Sequence, residues 1–462
     1  MSKIIDGSHA VPPRYRMLGL LVVALAVAVA VGGATSRSAQ AVLDPTLPNT
    51  VQQWNKVAED TVVSSGAFQG EGEVYMSYTS LAVYDAVVAI QGGYEPYGPA
   101  ISAPAGASVD CAVVEAAWWT LRHYFPASTA SLDANHAEAL SPANLNGCTA
   151  DGGTGTAVGL AAANGIIALR TGDGRMTPIG TSSSFEKKDP APGVWRLTPT
   201  AYALPQTPWL GSVQPFLLKS PGQFKTEPPV PLTSKAWVRE FDEVKAVGWV
   251  SAPLSVRTDE QTATAKFYTF NVIRQFNRAA RDLAGGKGLG LLQTARLLAM
   301  VNAVGADALM STLNQKYNFL FWRPVTVIDP ASVTTDGFGP SPTGFGDGNP
   351  ATVEQAGWRP LLPTPNHPEY PSAHGTITSG IAEVFSEFLG TDQIDLDIHG
   401  ATTTTGTGDV VRHFDTADEL RTDVVNARTW GGLHYRFSTE AGVQLGRKIA
   451  HYGLNHAFKA TG

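Results

Sequence analysis

Residues 75–90, YMSYTSLAVYDAVVAI, decide the fold class. Their apolar residues recur three and four apart, at Leu81, Tyr84, Val88 and neighbours, which is the helical period and not the strand one. The same period returns at 112–121, where Ala112, Ala116 and Ala117 make a small-residue face, and at 155–169. Such faces predict closely packed helices. Further along, it predicts helices over 234–247, 259–283, 291–315, 375–389, 416 to about 437 and 440 to about 458. Thr416-Ala-Asp-Glu419 fits a capping box at the start of one of them. Alternating patterns are scarce, and 394–398 is too short to found a sheet. The expectation is an all-α protein.

Its 462 residues include 47 glycines and 31 prolines, which predict long structured loops between helices. The proline-, glycine- and serine-rich stretch from Arg170 to about Lys235 is the natural boundary. It divides an N-terminal helical lobe and loop region, 42–235, from a C-terminal helical lobe, 236–462, that carries the chemistry. Hydrophobic residues at 43% and charged residues at 16% exclude a disordered chain. Cys111 and Cys148 are too few for a disulfide scaffold or a cysteine-rich zinc site, but they can form one disulfide in an exported protein.

Residues 1–41 read as an export signal: Arg14 and Arg16, an apolar run from Met17 to about Val31, then Ala39-Gln40-Ala41 as a small-residue cleavage site. Cleavage after Ala41 predicts a secreted protein, and only an uncleaved signal would tie it to a membrane. Without those residues the chain holds 29 basic and 39 acidic residues, a net charge of −10. No basic stripe marks a nucleic-acid binder. An anionic ligand therefore has to be gathered by a local site.

Three clusters offer one. Lys316 and Arg323 stand seven apart in KYNFLFWRP; on a continuing helix that spacing returns both cations to nearly one face, beside the aromatic run Tyr317, Phe319, Phe321, Trp322. His367-Pro-Glu-Tyr-Pro-Ser372-Ala373-His374 precedes a helix, so a hydroxyl, free N–H groups and a histidine gather at a helix N-terminus. Arg428-Thr-Trp-Gly-Gly-Leu-His434 places a third cation and a second histidine on the capped helix, and Gly431-Gly432 between them admits a close neighbour. Taken singly, each reads as ordinary surface charge, a helix cap or a packed histidine. Together they suit a tetrahedral oxyanion held by charge-assisted hydrogen bonds.

In this order the clusters resemble K-x6-R-P, P-S-G-H and S-R-x5-H, the signature of vanadium-dependent haloperoxidases and of the acid phosphatases of the type-2 phosphatidic acid phosphatase family. The match spans mainly Asp307 to Glu440. The contexts Phe321-Trp-Arg-Pro324, Arg412-His-Phe-Asp415 and Leu433-His-Tyr-Arg-Phe437 resemble the bacterial chloroperoxidase-related branch. The resemblance implies two four-helix bundles and one vanadate per chain, with His434 as axial vanadium ligand. It implies that Lys316, Arg323 and Arg428 neutralise vanadate oxygens, that Ser372 and the Ala373 N–H add hydrogen bonds, that His374 is the acid–base group, and that Lys316 draws charge from bound peroxide. Hydrogen peroxide, a halide and an organic acceptor are the implied partners.

Ala373 and Ala427 replace the glycine and serine of the pattern. His367 stands where the chloroperoxidase branch has an aromatic and the bromoperoxidase branch a histidine, a possible halide-site residue, and Leu313 replaces a tryptophan near the halide site. Bromide or iodide is therefore expected over chloride. A phosphatase with His434 as nucleophile and His374 as leaving-group acid uses the same residues, and a binding protein with a decayed site is the non-enzymatic alternative. Asp259 is a candidate partner for the cations. The acidic run Asp392, Asp395, Asp397 beside His399 reads as a solvated loop, and Gly285 to Gly290 as a flexible turn in place of a phosphate loop.

Overall fold

The periodicity at 75–90 belongs to α2 (Gln69–Gln91), which is buried over nearly its whole length. The computed structural model describes residues 43–462 apart from 142, 145–147, 149–151, 200, 252–253 and 331–345. The export signal lies outside the described residues. In chain order the helices are α1 (Thr50–Ser64), α2, α3 (Val109–Tyr124), α4 (Thr129–Ala139), α5 (Thr154–Leu169), α6 (Lys235–Val247), α7 (Asp259–Phe267), α8 (Val272–Gly286), α9 (Leu291–Phe319) and α10 (Pro324–Ile328). Then come α11 (Ala373–Leu389), β1 (Gln393–Gly400), β2 (Val410–Thr416), α12 (Ala417–Trp430) and α13 (Arg436–His456). Among the described residues the fold is thirteen α-helices and a single two-stranded sheet, so the all-α class holds.

Helices α1, α2, α3 and α5 pack on one another, and so do α9, α11, α12 and α13. α9 also packs along α1 and α2, so the two bundles share it within one unit, 40–462. By length and hydropathy α9 could cross a membrane, yet 94% of its most apolar window is buried inside the protein, the environment of a core helix. Small residues do allow close packing. A Cβ on Gly159 of α5 would lie 2.3 Å from the Ala112 carbonyl of α3, and one on Gly446 of α13 would lie 2.2 Å from the Thr376 carbonyl of α11. Cys111 and Cys148 are joined in a disulfide.

Four expectations are corrected. The helix expected over 259–283 breaks after Phe267, because the Asn271 side chain accepts from the N–H groups of Ile273 and Arg274 and caps a new helix. The helix from Thr416 has the expected capping box with Glu419 but ends at Trp430. Gly432 there has φ +74°, and a Cβ on it would meet the Gly248 carbonyl at 2.6 Å. α9 likewise stops before Arg323: Leu320 takes φ +52°, and its N–H donates to the Lys316 carbonyl at 2.8 Å. Residues 394–398 do form a strand, with Ile394, Leu396 and Ile398 buried in alternation and β2 paired antiparallel across a threonine- and glycine-rich loop. Its Asp397 and His399 meet His413 and Asp409.

Because α11 and α13 touch backbone to backbone, Gly446→Ala should overpack their contact and cost about 1–3 kcal/mol. Its chemical-denaturation midpoint should fall below that of wild type with the slope unchanged; an unaltered midpoint contradicts this packing.

Candidate functional site

Lys316 lies in the last turn of α9, fully buried, where its Nζ donates to the carbonyls of Pro368 and Glu369 at 2.8 and 2.7 Å. An ammonium has three N–H groups, so one remains to donate. Arg323 caps the short α10 and is equally buried. Its Nε donates to the His367 carbonyl at 3.1 Å and its Nη1 to the Leu433 carbonyl at 2.9 Å. Nη1 also reaches His434 Nε2 at 3.2 Å, and Nη2 reaches His367 Nδ1 at 3.1 Å. The chain between the two cations is pinned from outside: the Trp195 N–H donates to Leu320 and the Trp322 N–H to Gly193. Their convergence thus comes from a turn that reverses the chain and not from one helix face.

Arg428 occupies the last turn of α12 and is 2% exposed. Its Nε is buried with no hydrogen-bond partner among the described residues. A buried guanidinium left in that state costs free energy unless an anion reaches it.

Ser372 caps α11, its Oγ accepting from the Gly375 N–H at 3.3 Å, which leaves its O–H to donate. Ala373, the first residue of that helix, adds a free N–H at the positive end of the dipole. The start of α11 is held against α13, with the Ser372 N–H donating to the Ser438 carbonyl.

His434 lies in the turn between α12 and α13, so it shares no helix with Arg428. A guanidinium only donates, so Nε2 of His434 accepts from Arg323 and the proton resides on Nδ1. That Nδ1–H donates to Glu369 Oε1 at 2.7 Å, and the Tyr435 N–H donates to the same oxygen at 3.2 Å. His367 Nδ1 lies between Arg323 Nη2 and the Pro368 carbonyl, both at 3.1 Å, which call for opposite tautomers, and its ring packs 6.4 Å from Phe68. Trp237, Phe321, Trp322, Tyr370 and Tyr435 form an apolar wall beside this constellation.

The electrostatics join all three clusters. Burial and then the Arg323 charge hold Lys316 well below the usual lysine range, with Arg428 acting in the same direction. Burial lowers Arg323 to about 10, and burial with Arg323 lowers Arg428 to about 9. His374, His434 and His367 are each driven well below the usual histidine range by burial and by these cations, with Arg428 the leading charge on His374. Opposing them is Glu369, whose carboxyl burial pushes up to about 7 against the pull of Lys316 and Arg323.

Lys316, Arg323, Ser372, Ala373, His374, Arg428, His434 and His367 are therefore brought together. Asp259 is not: it is exposed in the first turn of α7, and the carboxylate among the cations is Glu369. The sequence held a signal for it, an acidic residue inside the otherwise uncharged His367-to-Ser372 segment, since buried cations need a carboxylate. Leu313 is buried one turn before Lys316, against the segment that carries Gly211.

Fold and site together describe a helical protein with a buried, positively charged cluster of the composition an oxyanion requires. Residues 296–461 match the family model of the VCPO second helical-bundle domain. Among solved structures, the chain is similar to "the first bacterial vanadium dependant iodoperoxidase", with TM-score 0.69 and 21% identity over 88% of this chain and 97% of that one. It is similar to an apo-type bacterial vanadium-dependent chloroperoxidase, with TM-score 0.63 and 17% identity over 83% of this chain and 93% of that one. The holo-type form gives 0.64 and 17% over 89% and 94%. A comparison with curated proteins finds no match. The fold is that of the vanadium haloperoxidases, in agreement with the resemblance carried by the motifs.

An oxyanion entering this site should stabilise the protein by about 2.7 kcal/mol at roughly 100 times its Kd. Arg428→Met removes an uncompensated charge, so its melting temperature without oxyanion should equal or exceed that of wild type, while the shift produced by orthovanadate or phosphate largely disappears. A full shift in the variant contradicts the site.

The depressed pKa values give a second test. A bound anion opposes the Arg428 charge and raises the pKa of His374 toward neutrality, so binding takes up protons and tightens as pH falls toward 6. Titration calorimetry in buffers of different ionisation enthalpy should report this uptake; proton release would contradict it.

Proposed function

We propose that this chain is a secreted vanadium-dependent haloperoxidase that oxidises bromide or iodide, in preference to chloride, with hydrogen peroxide. The observation that carries the reading is the surplus of buried positive charge around His434, above all the unpartnered Arg428 Nε. The residues fit vanadate, a tetrahedral oxyanion that also accepts a nitrogen ligand. Bound there, vanadate would supply Lewis-acid activation of hydrogen peroxide without changing oxidation state.

His434 presents an unprotonated Nε2, as a metal ligand requires, with its other nitrogen tied to a carboxylate. With vanadate bound, His434 Nε2 would be its nitrogen ligand and Arg323, which now meets that nitrogen, would be one of its donors. Lys316, with two of its N–H groups on carbonyls, would donate its third to the anion. Arg428, the Ser372 hydroxyl and the Ala373 N–H complete the donors. His374, half-buried and held neutral by burial and by Arg428, would be the group that takes up and returns a proton there.

His367 and Phe68 supply the edge where a soft halide is accommodated. An organic acceptor takes the oxidised halogen. The Cys111–Cys148 disulfide supports a destination in an oxidising compartment, as does the amino-terminal signal.

Purified protein with hydrogen peroxide and bromide should brominate a phenol-type dye only when orthovanadate is added. His434→Ala should lose that activity by several orders of magnitude. Release of phosphate from an aryl phosphate, inhibited by vanadate and without bromination, would instead establish the phosphatase chemistry of the same residues.

A further inference from the structure

The geometry points to Glu369 as the positioning residue of this site, holding His434 in the tautomer that presents its Nε2 lone pair and anchoring both neighbouring motifs through its main chain; this rests on the oxyanion reading above.

Three different groups of the one residue do this. Its N–H donates to the Phe321 carbonyl at 2.8 Å, two residues before Arg323. Its carbonyl accepts from Lys316 Nζ at 2.7 Å. Its carboxylate accepts from His434 Nδ1 at 2.7 Å and from the Tyr435 N–H at 3.2 Å. Glu369 thus connects the segment holding Lys316 and Arg323, its own segment before Ser372, and the segment holding His434.

A proton can reside on only one nitrogen of a neutral imidazole. A carboxylate accepts and never donates when ionised, so at Nδ1 it demands the proton there and leaves the Nε2 pair free. An amide in the same place has no such preference, because its NH2 can donate to Nδ1 and allow the proton onto Nε2. Glu369→Gln therefore keeps the main-chain anchors and side-chain volume while removing the carboxylate's share of the tautomer constraint, and leaves only the weaker 3.2 Å contact of Arg323 Nη1 at Nε2 to favour the Nδ1–H form. Glu369→Asp keeps the charge on a shorter stem.

The test combines nitrogen-15 NMR of the histidine rings, recorded without oxyanion at a pH well above 7 so that Glu369 is ionised, with equilibrium dialysis of orthovanadate at the same pH. Wild type should show His434 protonated at Nδ1. Glu369→Gln should populate the Nε2–H form and bind orthovanadate about 10–100-fold more weakly, and Glu369→Asp should restore the Nδ1–H form with part of the affinity. An Nε2–H tautomer in wild type overturns the proposal, as does Glu369→Gln with unchanged tautomer and unchanged vanadate affinity. Should that variant fail to fold, Glu369→Asp decides: vanadate affinity between wild type and none is expected, and an affinity equal to that of wild type overturns the proposal. If wild type shows the Nδ1–H tautomer but binds neither vanadate nor phosphate, the functional reading fails while the Glu369 assignment stands.

Discussion

Three cations are buried around one histidine with, among the described residues, a single carboxylate to balance them, and the rest of the site follows from that imbalance. Lys316 and Arg323 are 0% exposed and Arg428 is 2% exposed, and among the described residues Glu369 is the carboxylate that stands against them. Protein interiors do not keep unpaired charge without compensation, because desolvation of each ion costs several kcal/mol. On the reading proposed here, part of the compensation is left to a ligand. The depressed pKa values of all three cations and of the three histidines express the same fact: positive charge is crowded until an anion enters.

The scaffold exists to hold those charges apart from water and from relaxation. α9 delivers Lys316 from the shared core of both bundles, and α11 is clamped to α13 by glycine contacts too short for any side chain. The turn at Gly431-Gly432 is similarly pressed against Gly248 and Pro360, which fixes where His434 emerges. Aromatic rings close the side that faces α6. A field built from rigid elements needs little reorganisation when charge develops, which is the electrostatic form of catalysis.

Much of this was legible in the sequence. Helical period located most of the helices, small residues foretold close packing, and the three clusters named every cation and histidine of the site. What escaped was local. Asn271 and Gly432 broke helices whose apolar period ran on, because capping and close backbone approach compete with periodicity at single residues. The hairpin was missed because β2, with Val410 and Val411 both solvent-facing, lacks the alternation that β1 has. Glu369 escaped because its value lies in three contacts distant in sequence, which no spacing rule displays. Asp259 had the right chemistry and the wrong place.

The central claim, that the buried positive charge is a tetrahedral oxyanion site with His434 at its apex, is tested most directly by diffraction at the vanadium absorption edge from crystals grown with orthovanadate. The account predicts one anomalous peak per chain within bonding distance of His434 Nε2, with oxygens toward Lys316, Arg323 and Arg428. A peak elsewhere, or none at saturating vanadate, would contradict it.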